Sequence, residues 1–101
     1  MDMNSFIHDE TEVIRLHGKF DFSVQQKVLA FVSNSLTNAA TREVKLDLAT
    51  VHYIDSSALG LLLVFRDLAK KSGKSVSLCN LTGNVKQAVE IANFHKLFVI
   101  T

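Results

Sequence analysis

Two hydroxyls, those of Ser56 and Ser57, follow the carboxylate of Asp55 at the point where an apolar strand pattern gives way to an apolar helix pattern. A helix begins with backbone N–H groups that have no partner inside the helix and with the positive end of its dipole. A serine oxygen is satisfied there, and a phosphate is satisfied better. The chemistry open to this triplet is helix capping, or phosphorylation and its reversal, which makes it a candidate switch. As a plain cap, Asp55 or Ser56 contributes about 0.5–2 kcal/mol and needs no modification. Beside a phosphorylated Ser56, Asp55 has two roles open to it: repelling the phosphate, or orienting the serine hydroxyl for attack on a nucleotide phosphate brought by another protein.

The helix behind the serines divides into two faces when its residues are placed at about 100° each. Ala58, Leu61, Leu62, Phe65, Leu68 and Ala69 share the face expected to pack on a sheet. Ser56, Gly60, Leu63, Asp67, Lys70 and Lys71 fall opposite, with Leu59 and Val64 on the two flanks of that polar arc. Gly60 removes a side chain beside Ser56, so another backbone can come close. A small patch with an apolar centre at Leu63 and a hydroxyl at its edge suits a protein partner. Burying Leu63 in an interface contributes roughly 1.5–3 kcal/mol, whereas forcing a phosphate dianion into the same interface without cations costs several kcal/mol. The phosphate wins, and a loss of about 4 kcal/mol is roughly a thousandfold in affinity.

Other chemistries find little to work with. His8, His17, His52 and His95 are scattered without the short spacings of a metal site. Ser56-Ser57 lacks a glycine-flanked nucleophile elbow, and no glycine-rich phosphate loop precedes a lysine. The chain is therefore expected to be no enzyme, with no catalytic residue and no cofactor of its own; any nucleotide comes with the partner. Eleven basic residues against ten acidic ones leave a net charge of +1, too balanced for binding a nucleic-acid backbone. Residues 1–10 lack the cationic flank and apolar run of a secretory signal, and no stretch reaches the roughly 18 apolar residues of a membrane span. A lone cysteine, Cys79, sits among strand-like residues and is expected to be buried and reduced. These features predict a soluble, cytoplasmic protein without direct membrane insertion. Lys70, Lys71 and Lys74 read as favourable charges at a helix C-terminus.

The elements that must position the serines follow from periodicity. Phe6-Ile7 and Glu12 to Lys19 predict two short strands joined by a hairpin loop at Asp9-Glu10-Thr11. Val24, Val28, Phe31, Val32, Leu36 and Ala39 recur at spacings of three and four, which predicts a helix with Ser23 as its N-cap. A strand over Glu43–Leu48, the helix after Ser56, a strand over Ser75–Asn80, a helix over Asn84–Ala92 and a strand over Leu97–Ile100 complete the order. Strands alternating with single helices predict an α/β fold, one domain spanning residues 1–101, with a mostly parallel mixed sheet and helices packed on it.

Three blocks then carry a resemblance: Leu16-His17-Gly18-Lys19-Phe20-Asp21, Leu46-Asp47-Leu48, and Ile54-Asp55-Ser56-Ser57-Ala58-Leu59-Gly60. Together, over nearly the whole chain, they resemble the STAS family, shared by sulphate transporters and bacterial anti-sigma factor antagonists. The resemblance implies that Ser56, directly after the motif aspartate, is phosphorylated by an anti-sigma factor that is also a serine kinase. The unphosphorylated form then binds that anti-sigma factor and frees a sigma factor, and a protein phosphatase resets the phosphorylated form. It also carries over Gly18 and Asp21, in a loop near the phosphoserine; Asp21 either contacts the partner or serves as an acid at a helix start. The partner-binding set implied is Asp21, Asp55, Ser56, Ser57, Leu59, Gly60, Leu63, Val64 and Asp67. Ala58 stands where the family usually has glycine. The alternative is an unphosphorylated STAS accessory subunit of a membrane transport complex that docks through the same helix. Oligomeric state is left open.

Overall fold

The computed structural model describes all 101 residues. β1 (Asp2–His8) and β2 (Thr11–Phe20) form an antiparallel hairpin around Asp9 and Glu10, which both take positive φ (49° and 66°). Two left-handed residues in a two-residue turn match the twist of the strands they join. β3 (Glu43–Ile54), β4 (Ser75–Cys79) and β5 (Val99–Ile100) each add in parallel to the strand before, giving the sheet order β1-β2-β3-β4-β5. The crossovers carry α1 (Gln25–Leu36), α2 (Ser56–Lys71) and α3 (Gly83–Ile91).

Parallel crossovers are right-handed, and here each steps toward the same edge, so the three helices gather on one face of the sheet. That face supplies Ile14, Leu16, Val44, Leu46, Leu48, Val76 and Leu78 to a single buried cluster. The helices answer with Val28, Val32 and Leu36, then Leu61, Leu62 and Phe65, then Val85 and Val89. Arg15, Asp47 and Cys79 are laterally paired and form a row on the opposite, helix-free face. The α/β class, the mixed sheet and the element order are those the sequence predicts.

Several boundaries differ, for local reasons. β3 does not stop at Leu48 but continues to Ile54, because its pairing with β2 runs on through His17↔Thr50 to Phe20↔Ile54. α1 ends at Leu36, short of Ala39: the Thr37 hydroxyl donates to the Asn34 carbonyl (2.7 Å), and Asn38 Oδ1 accepts from the Ala40 N–H (2.9 Å). Such short polar side chains compete with the helix for its backbone partners. Ser23 is not the N-cap of α1. A short 3₁₀ turn over Phe22–Val24 intervenes, capped by Asp21, whose carboxylate accepts from the Ser23 N–H (3.0 Å) and the Ser23 hydroxyl (2.5 Å). A second 3₁₀ turn, Phe94–Lys96, shortens the last strand to Val99–Ile100.

The C-terminus of α2 closes with Gly73 at φ +71°, its N–H donating to the Lys70 carbonyl (3.1 Å) while the Lys74 N–H donates to the Ala69 carbonyl (2.8 Å). This left-handed stop satisfies carbonyls the helix leaves free. Lys70 and Lys71 lie in the last turn, and the Lys74 ammonium donates to the Asn38 carbonyl and Thr41 hydroxyl, tying the end of α2 to the α1–β3 loop.

The two faces of α2 separate as the 100° spacing predicts: Ala58, Leu61, Leu62, Phe65 and Ala69 are buried, and Ser56, Gly60, Leu63, Asp67, Lys70 and Lys71 are exposed. Truncating Phe65→Ala is expected to destabilise the domain by about 3–5 kcal/mol, whereas Leu63→Lys is expected to change stability by no more than about 0.5 kcal/mol. Urea unfolding midpoints of the two variants measure the contrast.

Candidate functional site

Parallel pairing brings Lys19 beside Tyr53 and Phe20 beside Ile54, so β2 and β3 end together and their next residues, Asp21 and Asp55, start the two helical segments side by side. The Asp55 N–H donates to the Phe20 carbonyl (3.3 Å) across this junction. Asp55 is the N-cap of α2 in extended conformation (φ −112°, ψ 178°). Its Oδ1 accepts from the Ala58 N–H (2.9 Å) and the Ser57 hydroxyl (2.6 Å), and its Oδ2 accepts from the Phe22 N–H (3.1 Å). One carboxylate thus caps the helix, fixes the second serine and latches the β2–α1 loop to the tip of α2.

These bonds favour the charged form of Asp55. Its pKa lies below the ordinary 3.8, chiefly because of the Ser57 hydroxyl; partial burial opposes the shift, and the N–H groups of Ala58, Phe22 and Ser57 reinforce it. The side chain is directed to Phe22, Ser57 and Ala58, and it makes no hydrogen bond to Ser56.

The two serines are therefore unequal. Ser57 is half-buried and its hydroxyl is committed to Asp55. Ser56 is exposed at the first position of the helix, where its hydroxyl has no side-chain or backbone hydrogen bond within the chain. Along the same face follow Gly60, with open space where a Cβ would stand, and Leu63 (37% exposed), with Val64 (43% exposed) and half-buried Leu59 on its flanks and Asp67 one turn on. The two carboxylates hydrogen-bonded at this junction, Asp21 and Asp55, are turned to Ser23 and to Phe22, Ser57 and Ala58, which leaves Ser56 beside the positive end of the helix.

Gly18 lies inside β2 rather than in the loop. The β2–β3 register shifts between Gly18 and Lys19, and the glycine takes φ +104°, a conformation that strains any residue with a Cβ. The extra residue at this shift is His52 of β3, which lies between the partners of Gly18 and Lys19, and beyond it the two strands run together to Phe20↔Ile54. Sequence periodicity missed Phe22, which is 73% exposed at the loop tip while its backbone is held by Asp55. Strand alternation would put Phe22 on the same side as buried Phe20; the 3₁₀ turn that begins at Phe22 breaks that period and leaves the ring exposed, which local periodicity does not signal. Tyr53, two residues before Asp55, is likewise half-exposed at the end of β3.

Asp55→Ala removes the cap and the latch together and is expected to lower stability by about 1–2 kcal/mol. Because the folded-state pKa is depressed, the contribution of Asp55 is fully present above 3.8 and is lost as pH falls through its lower, folded value. Urea unfolding as a function of pH should show the gap between wild type and Asp55→Ala closing at the acid end.

Known proteins share this fold. The profile of the family described as Mlab, STAS domain matches residues 4–101. A STAS-domain containing protein of Pseudomonas aeruginosa is 37% identical over 89 residues, covering 87% of this chain and 85% of the relative. An anti-sigma F factor antagonist of Paenibacillus polymyxa is 22% identical over 93 residues, covering 92% and 80%. Among solved structures, the Bacillus anti-sigma factor antagonist SpoIIAA superposes with TM-score 0.76 in its unphosphorylated form and 0.73 in its phosphorylated form, at 20% and 19% identity, covering 99% of this chain and 87% and 91% of the two chains. A family profile spanning almost every residue, on a sheet and helix order that it shares with these structures, makes this chain a member of the STAS family.

Proposed function

We propose that the protein is an anti-sigma factor antagonist that works by partner switching, with Ser56 as its phosphorylation site. The observation that carries this reading is the inequality of the two serines: the Ser56 hydroxyl is exposed and uncommitted at a helix tip, at the edge of an apolar patch. It is supported by relatives named as anti-sigma factor antagonists and by a fold neighbour solved both with and without phosphate.

In the unmodified state the partner, an anti-sigma factor with serine kinase activity, lies on the exposed face of α2. It buries Leu63 and Val64, approaches closely over Gly60 and meets Asp21, Asp55, Ser57, Leu59 and Asp67 at the margins. In the transfer step, Ser56 Oγ attacks the γ-phosphorus of ATP held by the partner. The new P–O bond forms as the bond to ADP breaks, and the hydroxyl proton passes to a base on the kinase, since the Asp55 carboxylate is already committed to three donors. The product places a dianion between the two surfaces, and dissociation follows without refolding. A protein phosphatase hydrolyses the ester and restores docking.

Incubation with the anti-sigma factor kinase and ATP is expected to label Ser56 and not Ser57, as read by phosphopeptide mass spectrometry. Ser56→Asp is expected to weaken binding by roughly a thousandfold, Ser56→Ala to bind constitutively, and Leu63→Lys to lose about 1.5–3 kcal/mol of affinity with unchanged circular dichroism. Gly60→Ala should raise the stability of the free domain by about 0.5–1 kcal/mol yet weaken docking, a split that a purely structural glycine would not produce. An unlabelled Ser56 in a stable complex with a transporter ATPase would instead identify the domain as a transport accessory subunit.

A further inference from the structure

β1 is the outer strand of the sheet, and all of its residues except Met3 are exposed. Sheet edges are usually kept apart by proline, lysine, bulges or very short strands. β1 has none of these: it is seven residues long, Asp-Met-Asn-Ser-Phe-Ile-His, and pairs with β2 without a register shift. In a two-residue hairpin the closing pair, here His8↔Thr11, exchanges both backbone hydrogen bonds, and such pairs alternate along the ladder. The even-numbered residues of β1 therefore face β2, and the N–H and C=O groups of Met3, Ser5 and Ile7 point away from the sheet.

We propose that this edge docks a second copy of the same chain, strand to antiparallel strand, across a two-fold axis through Ser5. Free odd-numbered residues must oppose free odd-numbered residues, which leaves few registers. Centred on Ser5, Met3 faces Ile7 of the second copy, Ser5 faces Ser5 and Ile7 faces Met3, and each pair exchanges two hydrogen bonds. The intervening pairs set Asp2 against His8 of the second copy; His8 Nε2 lies 3.2 Å from Asp9 Oδ2 of its own chain, so the acid across the axis faces the other edge of the imidazole, at both ends of the strand. A shift of two in one direction brings Phe6 opposite Phe6 and runs Asp2 and Met3 past the strand into the turn. The opposite shift sets Asp2 against Phe6 and carries Ile7 and His8 past the end of β1. The Ser5-centred register alone uses the full strand and pairs acid with imidazole.

Docking in this way covers Ile7 (51% exposed) and Phe6 (44% exposed) and joins the two five-stranded sheets into one. The interface is isologous, so it closes at two copies. Ser56 stands at the end of β3, two strands away from this edge, and stays open in both copies. The assembly therefore does not depend on the phosphorylation reading and presents two docking patches to the partner.

Sedimentation of the full chain over a concentration series is expected to show a monomer–dimer equilibrium. Ser5→Pro removes an outward N–H without touching the β1–β2 ladder, and should weaken dimerisation by about tenfold or more while circular dichroism stays native. If that variant fails to fold, cysteine crosslinking reads the register directly. Opposed Cα atoms in such a pair lie about 5.5 Å apart, within disulfide range, so Ser5→Cys should give a disulfide-linked dimer on oxidation and Ile7→Cys should not. A monomer at every concentration overturns the proposal, as does a dimer that Ser5→Pro leaves unchanged or that Ile7→Cys crosslinks as readily as Ser5→Cys.

Discussion

The parallel pairing of β2 with β3 is the constraint on which the functional end of the molecule rests. It runs from Thr11↔Glu43 to Phe20↔Ile54, and because the strands finish together, two aspartates separated by 34 positions in sequence begin neighbouring helical segments. Asp55 then does what a cap alone does not: besides satisfying the start of α2 it reaches the Phe22 N–H, so the loop and the helix tip are held by one carboxylate. The bulge at His52 of β3, opposite Gly18 and Lys19, is part of the same geometry, since it adjusts the register just before the strands end. A fixed tip matters for a switch that works by contact, because a rigid surface loses little conformational freedom when a partner binds.

A second consequence of strand order is that the sheet is one-sided. All helices lie on the face lined by Ile14, Leu46 and Leu78, and the other face is held together by polar contacts. Arg15 lies 3.4 Å from Asp47 and 5.1 Å from the centre of the Phe6 ring. Asp47 also accepts from the Ala49 N–H (3.0 Å) and from the Asn80 amide (3.1 Å), and His17 bridges Asn4 (2.9 Å) to Thr50 (2.6 Å). Apart from the Ala49 bond, which lies within β3, these contacts join one strand to the next, so this surface stiffens the sheet without a second layer of helices. Cys79 sits in the same row, buried, with its thiol pKa pushed up mainly by loss of solvent and secondarily by the Asp47 charge. Both burial and the raised pKa disfavour the thiolate, the form in which a cysteine reacts.

The two faces of α2 show how a small domain combines a core with the surface proposed for docking. Leu61, Leu62 and Phe65 anchor the helix, and what remains exposed between them is a short row of Ser56, Gly60 and Leu63. The proposed switching needs no movement of this helix, because the energetic contrast is between a buried methyl-rich side chain and a buried dianion. The core beneath can therefore stay the same in both states.

The sequence by itself determined the element order, the α/β class, the burial of each face of α2 and the helix-tip position of Ser56, because all of these follow from local periodicity and from the chemistry of helix starts. Ser57 shows the limit of that reading. Adjacent and chemically identical to Ser56, it differs only because the helix turns its hydroxyl toward Asp55. Ser23 shows the same limit at α1: its type suits a cap, but a neighbouring aspartate reached the backbone first. Phe22, the one-sided placement of the helices and the open edge of β1 were decided by the tertiary structure. Which residue lies beside the site, and which strand ends up outermost, depends on contacts between segments far apart in the chain, and periodicity within one segment carries no information about its neighbours in space.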